Sequence, residues 1–347
     1  MTAASPGASR QPPPAAARYE SIDGLRGIAA AMVFGFHLNE KASTIDGSVI
    51  ELWRTVWKHG HLGVPLFFVI SGVCVTLSWL REPSAAVFLH HRLRRIFPPY
   101  WASLALVAAL ALTVKVITGV NDVASFPHTP AAILATLVLA TRPVTDVPVV
   151  NWVYWSLSFE VAFYAVMAAV LLAPRVRRLP ILCATHVAIC LAAAFIPSVV
   201  IRPLFFVELW PLFGTGAALV LWRPHRRIAV LMGLASCVHL TLCLTQGRLE
   251  AYWLTAGLGV AVCAAALAGH GLLSAPSLVH LGKMSYSIYL VHVPIALGLI
   301  GRLLPSFGRN AVAEIAWQIV VFFSTLVVVH AFFLLAEKPF LRPRRPA

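Results

Sequence analysis

Charge is what this sequence has least of. Asp, Glu, Lys and Arg make up 12% of its 347 residues, against about 25% in soluble domains. Only 13 residues are acidic. So few charges could not cover the surface of a soluble fold of this length, which excludes a pair of soluble domains. Six cysteines, none in a Cys-x-x-Cys pair, indicate neither a zinc site nor a disulfide framework. There is no internal repeat and no second soluble domain. With 59% hydrophobic residues, disorder and a collagen-like chain are excluded too. What remains is a helical integral membrane protein that nevertheless carries a net charge of +14.

Apolar runs long enough to span a bilayer, roughly 17–25 residues, recur along the chain. The expected spans are 24–40, 62–80, 99–118, 152–173, 180–200, 203–222, 228–245, 252–272, 282–303 and 312–336. An eleventh stretch, near 130–141, is too short and is read as a non-spanning helix in the loop 119–151. The Pro/Ala-rich residues 1–18 read as a disordered tail, 19–341 as one membrane domain, and 342–347 as a basic cytoplasmic tail. The first apolar run carries Arg26 and His37, which argues for a retained span rather than a cleaved signal peptide.

The basic residues choose the topology. With ten spans and both termini inside, 17 Lys and Arg flank the inner side and nine the outer, with Arg26 inside the first span. Counting the short stretch as a span would move the Arg175–Arg178 loop outside, so the positive-inside rule favours ten. The charge is therefore mainly topological, and nucleic acid is not expected as a partner. The chain is expected in the cytoplasmic (inner) cell membrane as a multi-pass protein. Oligomeric state is not legible.

Ionisable groups inside spans are costly and mark functional sites by default. Arg26 and His37 are 11 residues apart, which puts them on one face of a helix about 16 Å apart along its axis. A snorkelling Arg26 and a hydrogen-bonded core His37 are the simpler alternative. Arg92, Arg94 and Arg95 precede Pro98-Pro99, read as a helix start at the inner surface; guanidinium forks there suit phosphate oxygens. An ordinary inner-surface anchor would look the same. Ser156, Glu160 and Tyr164 share one face of a helix running inward, with Glu160 near the expected depth of His37. Ser285, Tyr289 and His292 form a polar stripe at i, i+4 and i+7, which as single residues could be interhelical glue.

Taken together these segments resemble the acyltransferase 3 family, the membrane acyltransferases that include bacterial O-antigen and exopolysaccharide O-acetylases. The resemblance rests on Asp23-Gly24-Leu25-Arg26-Gly27 with His37 completing Arg-x10-His, Leu66 to Gly72 with Ser71, and Arg92-Leu93-Arg94. Trp155 to Glu160, Ser285 to His292 and Glu337-Lys338-Pro339-Phe340 complete the ordered set, from about residue 19 to 341. The sequence stops soon after Phe340, so the esterase-like domain that some relatives append is not expected.

The resemblance implies transfer of an acyl group, commonly acetyl from acetyl-CoA or another acyl-CoA, to a hydroxyl of a carbohydrate or glycosylated acceptor. On that reading Arg92 and Arg94, with Arg95, hold the donor's phosphates, and Arg26 lines the same mouth. His37 is general base or acyl carrier, and Glu160 orients its imidazole. Ser71, Ser156, Tyr164, Ser285, Tyr289 and His292 bind substrate or support the site, and no metal is expected. A transporter or flippase is the alternative; it predicts inverted repeats, and no such symmetry is found.

Overall fold

The computed structural model describes residues 14–40, 48–119, 123–195, 202–245, 250–268, 271–304 and 310–341. Among them every regular element is helical and there is no strand. In chain order the α-helices are α1 Pro14–Glu40, α2 Ser48–Lys58, α3 Gly63–Trp79, α4 Ala85–Thr118, α5 Pro130–Leu137, α6 Trp155–Leu171 and α7 Arg178–Phe195. There follow α8 Trp210–Leu221, α9 Arg226–Thr245, α10 Glu250–Ala268, α11 Pro276–Lys283, α12 Ser285–Val293, α13 Gly301–Leu303 and α14 Ala311–Phe332. A π-helical stretch, Pro294–Ile300, joins α12 to α13, and a second, Phe333–Glu337, extends α14.

Among the described residues each apolar run read from the sequence overlaps at least one of these helices. Seven described helices are long and apolar enough to cross a membrane, and Trp210–Leu221 and Leu258–Leu267 are shorter apolar ones. Their outward faces stay apolar, as lipid contact requires: Val116, Leu172, Val327 and Leu335 are all more than 70% exposed. The chain is an all-helical, multi-pass membrane protein. Of the tail expected over 1–18, residues 14–18 lie in α1; residues 1–13 and the basic tail 342–347 fall outside the described residues.

Glycines bring the helices that carry the site into backbone contact. A Cβ on Gly27 would lie 2.5 Å from the Leu278 carbonyl oxygen, and one on Gly282 would lie 1.7 Å from that of Asp23. That is why α1 can cross α11 backbone against backbone beside Arg26. Gly72 on α3 and Gly216 on α8 make a second such crossing, with a Cβ on either 2.1 Å from the partner helix's carbonyl oxygen. Small residues at crossings are the membrane's usual means of close helix packing.

The Pro98-Pro99 pair does not start a helix, contrary to the sequence reading. Ser84 caps α4, accepting from the Val87 N–H at 3.3 Å, and the helix runs through both prolines to Thr118. Thirty-four residues make it about 51 Å long, more than the ~30 Å apolar thickness of a bilayer. Tyr286 donates to the Ile96 carbonyl at 3.0 Å, supporting the ladder beside the prolines.

The short helix α5 has eight residues, about 12 Å, too few to cross. Its C-terminal carbonyls would be orphaned in apolar surroundings. Tyr100 satisfies Thr136 O at 2.7 Å and Trp101 satisfies Leu137 O at 2.9 Å, both from α4. One residue that the apolar pattern did not reveal is Trp57 on α2, an 11-residue amphipathic helix laid over α1 and α14; its ring fills the space above Gly35.

Candidate active site

The first of two linked regions is a cavity between α1, α3, α4, α6 and α12. It holds about 80 Å³ of free space and is partly open to the outside. Arg26, Arg92 and Arg95 line it together with Ser71, Glu160 and Tyr164. Arg26 lies 3.8 Å from Asp23, one turn back on α1. The Arg92 guanidinium sits over the rings of Phe88 and Tyr164, 5.7 and 5.9 Å from their centres, and its buried Nε has no hydrogen-bond partner.

Arg94 does not join them. It is exposed, and Arg95 takes its place on the cavity wall. The reason is helical geometry: residues two apart point about 200° from each other, residues three apart about 60°. The Arg-x-Arg pairing therefore gives way to Arg92 with Arg95.

The α6 stripe faces the cavity as its spacing implied. Ser71 donates to Glu160 Oε1 at 3.0 Å, and Tyr164 donates to the same oxygen. Tyr289 gives its single proton to the Val153 carbonyl, so Ser156 is the donor in its 2.5 Å bond to the Tyr289 oxygen. Ser285, at the start of α12, is 1% exposed, and its hydroxyl at the cavity wall has no partner. The cavity thus holds three guanidinium groups against one carboxylate, with a guanidinium nitrogen and a hydroxyl unsatisfied. Such a lining suits an anionic, hydrogen-bonding ligand.

The second region begins one turn further along α12. The His292 Nδ1–H donates to the carbonyls of Ile288 and Tyr289 at 2.8 and 3.1 Å. That fixes its tautomer and leaves Nε2 as a buried acceptor without a partner. The His37 ring stacks on it, centres 5.3 Å apart. The Trp152 indole meets His37 at 4.2 Å in a T-shaped contact. Asn151 holds this corner closed, capping the turn that starts at Trp152 and donating to Leu290 O at 3.1 Å.

Glu160 is not the carboxylate beside His37. The His37 Nδ1 pairs instead with Glu40 Oε2 at 3.2 Å, one turn along the same helix. Trp152, against His37, and Glu160 are eight residues apart, about 12 Å along their helix. Glu160 therefore belongs to the arginine cavity and His37 to the other end. Glu40 could have been found from its i, i+3 spacing to His37. Cys74 and Tyr286 also line the cavity without having been singled out.

Glu337 is a further buried carboxylate, 1% exposed. The π-helical turn before it aims one oxygen at the first turn of α12, where it accepts from the Ser287 N–H at 3.0 Å and from the Ser287 hydroxyl. It thereby caps a buried helix start from outside that helix. His186 and His239 are fully buried; His186 accepts from Trp210 Nε1 at 2.9 Å, and His239 bonds backbone carbonyls. His270 lies outside the described residues. Among the described residues no group of three or more His, Cys, Asp or Glu could hold a metal ion.

A buried cationic cavity joined through one helix to a carboxylate-paired histidine, all within apolar helices, is the constitution of a membrane group-transfer enzyme. The family model for the acyltransferase domain, acyltransferase 3, matches residues 19–334, and the chain belongs to that family. It is an acyltransferase that transfers groups other than aminoacyl groups. It is 32% identical to the exopolysaccharide production protein ExoZ of Rhizobium meliloti (strain 1021), over 85% of this chain and 95% of that protein. It is 27% identical to the acyltransferase MdmB of Streptomyces mycarofaciens, over 44% of this chain and 39% of that protein. No solved structure matches it.

Proposed function

We propose that the protein moves an acyl group, acetyl in the first instance, from acyl-CoA to a hydroxyl of a carbohydrate or glycosylated acceptor. The observation that carries this reading is the arginine cavity of α1 and α4, whose α12 wall, at Ser285 and Tyr289, belongs to the helix that one turn later carries His292 against His37. Arg92 and Arg95, with Arg26, hold the donor's phosphates, and the unpartnered Arg92 Nε and Ser285 hydroxyl supply hydrogen bonds there. The pantetheine arm extends past Tyr289 and delivers the thioester to His37. The name of the exopolysaccharide production relative supports a carbohydrate acceptor.

His37 acts as general base. With its Nδ1 proton held by Glu40, Nε2 takes the proton from the acceptor hydroxyl. The acceptor oxygen bonds to the thioester carbonyl carbon, the carbon–sulfur bond breaks, and the imidazolium returns the proton to the departing thiolate. Ten spans with both termini cytoplasmic put the arginines at the cytoplasmic mouth and His37 in the outer half of the cell membrane.

The test is release of free thiol from acetyl-CoA by the protein in lipid nanodiscs, paired with mass spectrometry of surface glycans from the host strain and its deletion mutant. Acceptor-dependent release and a glycan mass difference of one acetyl group are expected. Normal turnover by His37→Ala would overturn the role given to His37. Equal glycan masses together with no thiol release would overturn the reaction.

A further inference from the structure

His37 is covered on one side by Trp152, and Trp152 has a second face. Its side chain is 46% exposed and forms the wall of another pocket, between residues 123–128 and 149–152. This pocket is wide open and holds about 540 Å³, within the usual range for small-molecule sites, roughly 300–1,000 Å³. Phe126 and Trp152 contribute aromatic surface, Val123 and Val149 aliphatic surface, and Ser125 and His128 are exposed polar groups on its lining. Among the described residues that line it there is no Lys, Arg, Asp or Glu.

That lining is unlike the arginine cavity and suits a different ligand. A pyranose ring presents axial C–H groups on one face and hydroxyls around its edge. The C–H face fits an exposed indole or phenyl ring, and the hydroxyls fit a few neutral donors and acceptors. A carboxylated or phosphorylated sugar would find no counterion here and would lose hydration without compensation. The pocket's position supplies the other half of the argument. Trp152 is in contact with His37, and Asn151 and Val153 on either side are bonded to α12, which carries His292. A ligand on the open face of Trp152 therefore lies across one indole from His37, against a wall with two fixed neighbours, and reaches the base past the edge of that ring.

We propose that this pocket is the acceptor subsite, where a neutral pyranose ring lies against Trp152 and Phe126 and directs one hydroxyl toward His37. The assignment deepens the acyl-transfer reading and rests on it for the direction of the hydroxyl. The binding of the sugar itself does not depend on that reading.

Saturation-transfer NMR on the protein in lipid nanodiscs tests it. The probes are the methyl glycosides of glucose, galactose and mannose, with methyl glucuronoside as the charged control. At least one neutral glycoside should receive saturation on its ring protons, and the glucuronoside should not. Trp152→Ala should weaken the signal about tenfold, as expected for truncating an aromatic anchor, and Trp152→Phe should restore most of it. Phe126→Ala should also weaken it and serves where Trp152→Ala fails to fold. Absence of transfer to every neutral glycoside, equal transfer to the glucuronoside, or wild-type binding by both alanine variants would overturn the subsite. Acetyl-CoA consumption, measured on the same nanodiscs, separates the two ideas. Sugar binding without it removes the acyl-CoA reaction and leaves the pocket; consumption with unaltered acceptor KM in both alanine variants removes the pocket and leaves the reaction.

Discussion

The imidazole of His37 lies nearly parallel to that of His292, with ring centres 5.3 Å apart and planes 18° apart. The two come from helices far apart in the sequence, and only one is free to change partners. The His292 Nδ1–H is tied to two backbone carbonyls of its own helix, whereas His37 faces a side-chain carboxylate.

This asymmetry predicts different losses. His37→Ala should lower kcat by about 10²–10⁴-fold, the usual contribution of a positioned general base. His292→Phe keeps a ring against His37 and should cost much less, about tenfold or below in kcat, with donor affinity unchanged. Steady-state kinetics of thiol release would measure both, and equal losses would contradict the division of labour.

The carboxylates should separate in the same assay. Glu40→Gln removes the group that orients His37 and should lower kcat with little change in KM for acetyl-CoA. Glu160→Gln disturbs the bonds from Ser71 and Tyr164 in the arginine cavity and should act mainly on donor KM. A kcat effect confined to Glu160→Gln would restore the pairing expected from the sequence.

The arginines give a third comparison. Arg92→Ala and Arg95→Ala should each weaken acetyl-CoA binding by about 1.5–3 kcal/mol, roughly 10–100-fold, the range for a lost charge-assisted hydrogen bond. Arg94→Ala, on an exposed side chain, should leave it within about threefold, the scale of a surface charge contact. Titration calorimetry in detergent would decide, and a ranking led by Arg94 would refute the placement.

Gly282→Val tests the α1–α11 crossing. Its Cβ would meet the Asp23 carbonyl at 1.7 Å, and since backbone rather than a flexible side chain must move, the loss should exceed the ~1–3 kcal/mol usual for overpacking. A Cβ on Gly233 meets nothing within 4 Å, so Gly233→Ala should leave the thermal midpoint unchanged or slightly raised. Fluorescence-detected melting would show the contrast, and two equal midpoints would disprove the crossing's importance.

Some of the site was legible in one dimension because the signal is local. A polar stripe at i, i+4 on an otherwise apolar helix states which side faces protein, and Ser156, Glu160 and Tyr164 do line one wall together. The Arg-x-Arg reading failed on a local rule as well, since two-residue spacing cannot share a helical face. The pairing of His37 failed for a different reason. Depth counted along separate helices carries no information on their tilt or rotation, so Glu160 at a similar nominal depth was still on another part of the bundle.

By itself, the sequence determined that the chain is a helical membrane protein, because too few charges and repeated long apolar runs allow little else; its ordered motifs carried the resemblance to the acyltransferase 3 family that the family model then showed. It also picked out His37, Glu160 and the arginine segment, because a polar group in an apolar helix is costly enough to stand out. The tertiary structure decided which of these meet. Glycine contacts set how closely α1 approaches α11, and the packing of α12 against α1 and the turn at Trp152 stacks His37 on His292 under an indole. Those partnerships depend on distances between helices remote in sequence, which arise only when their faces pack.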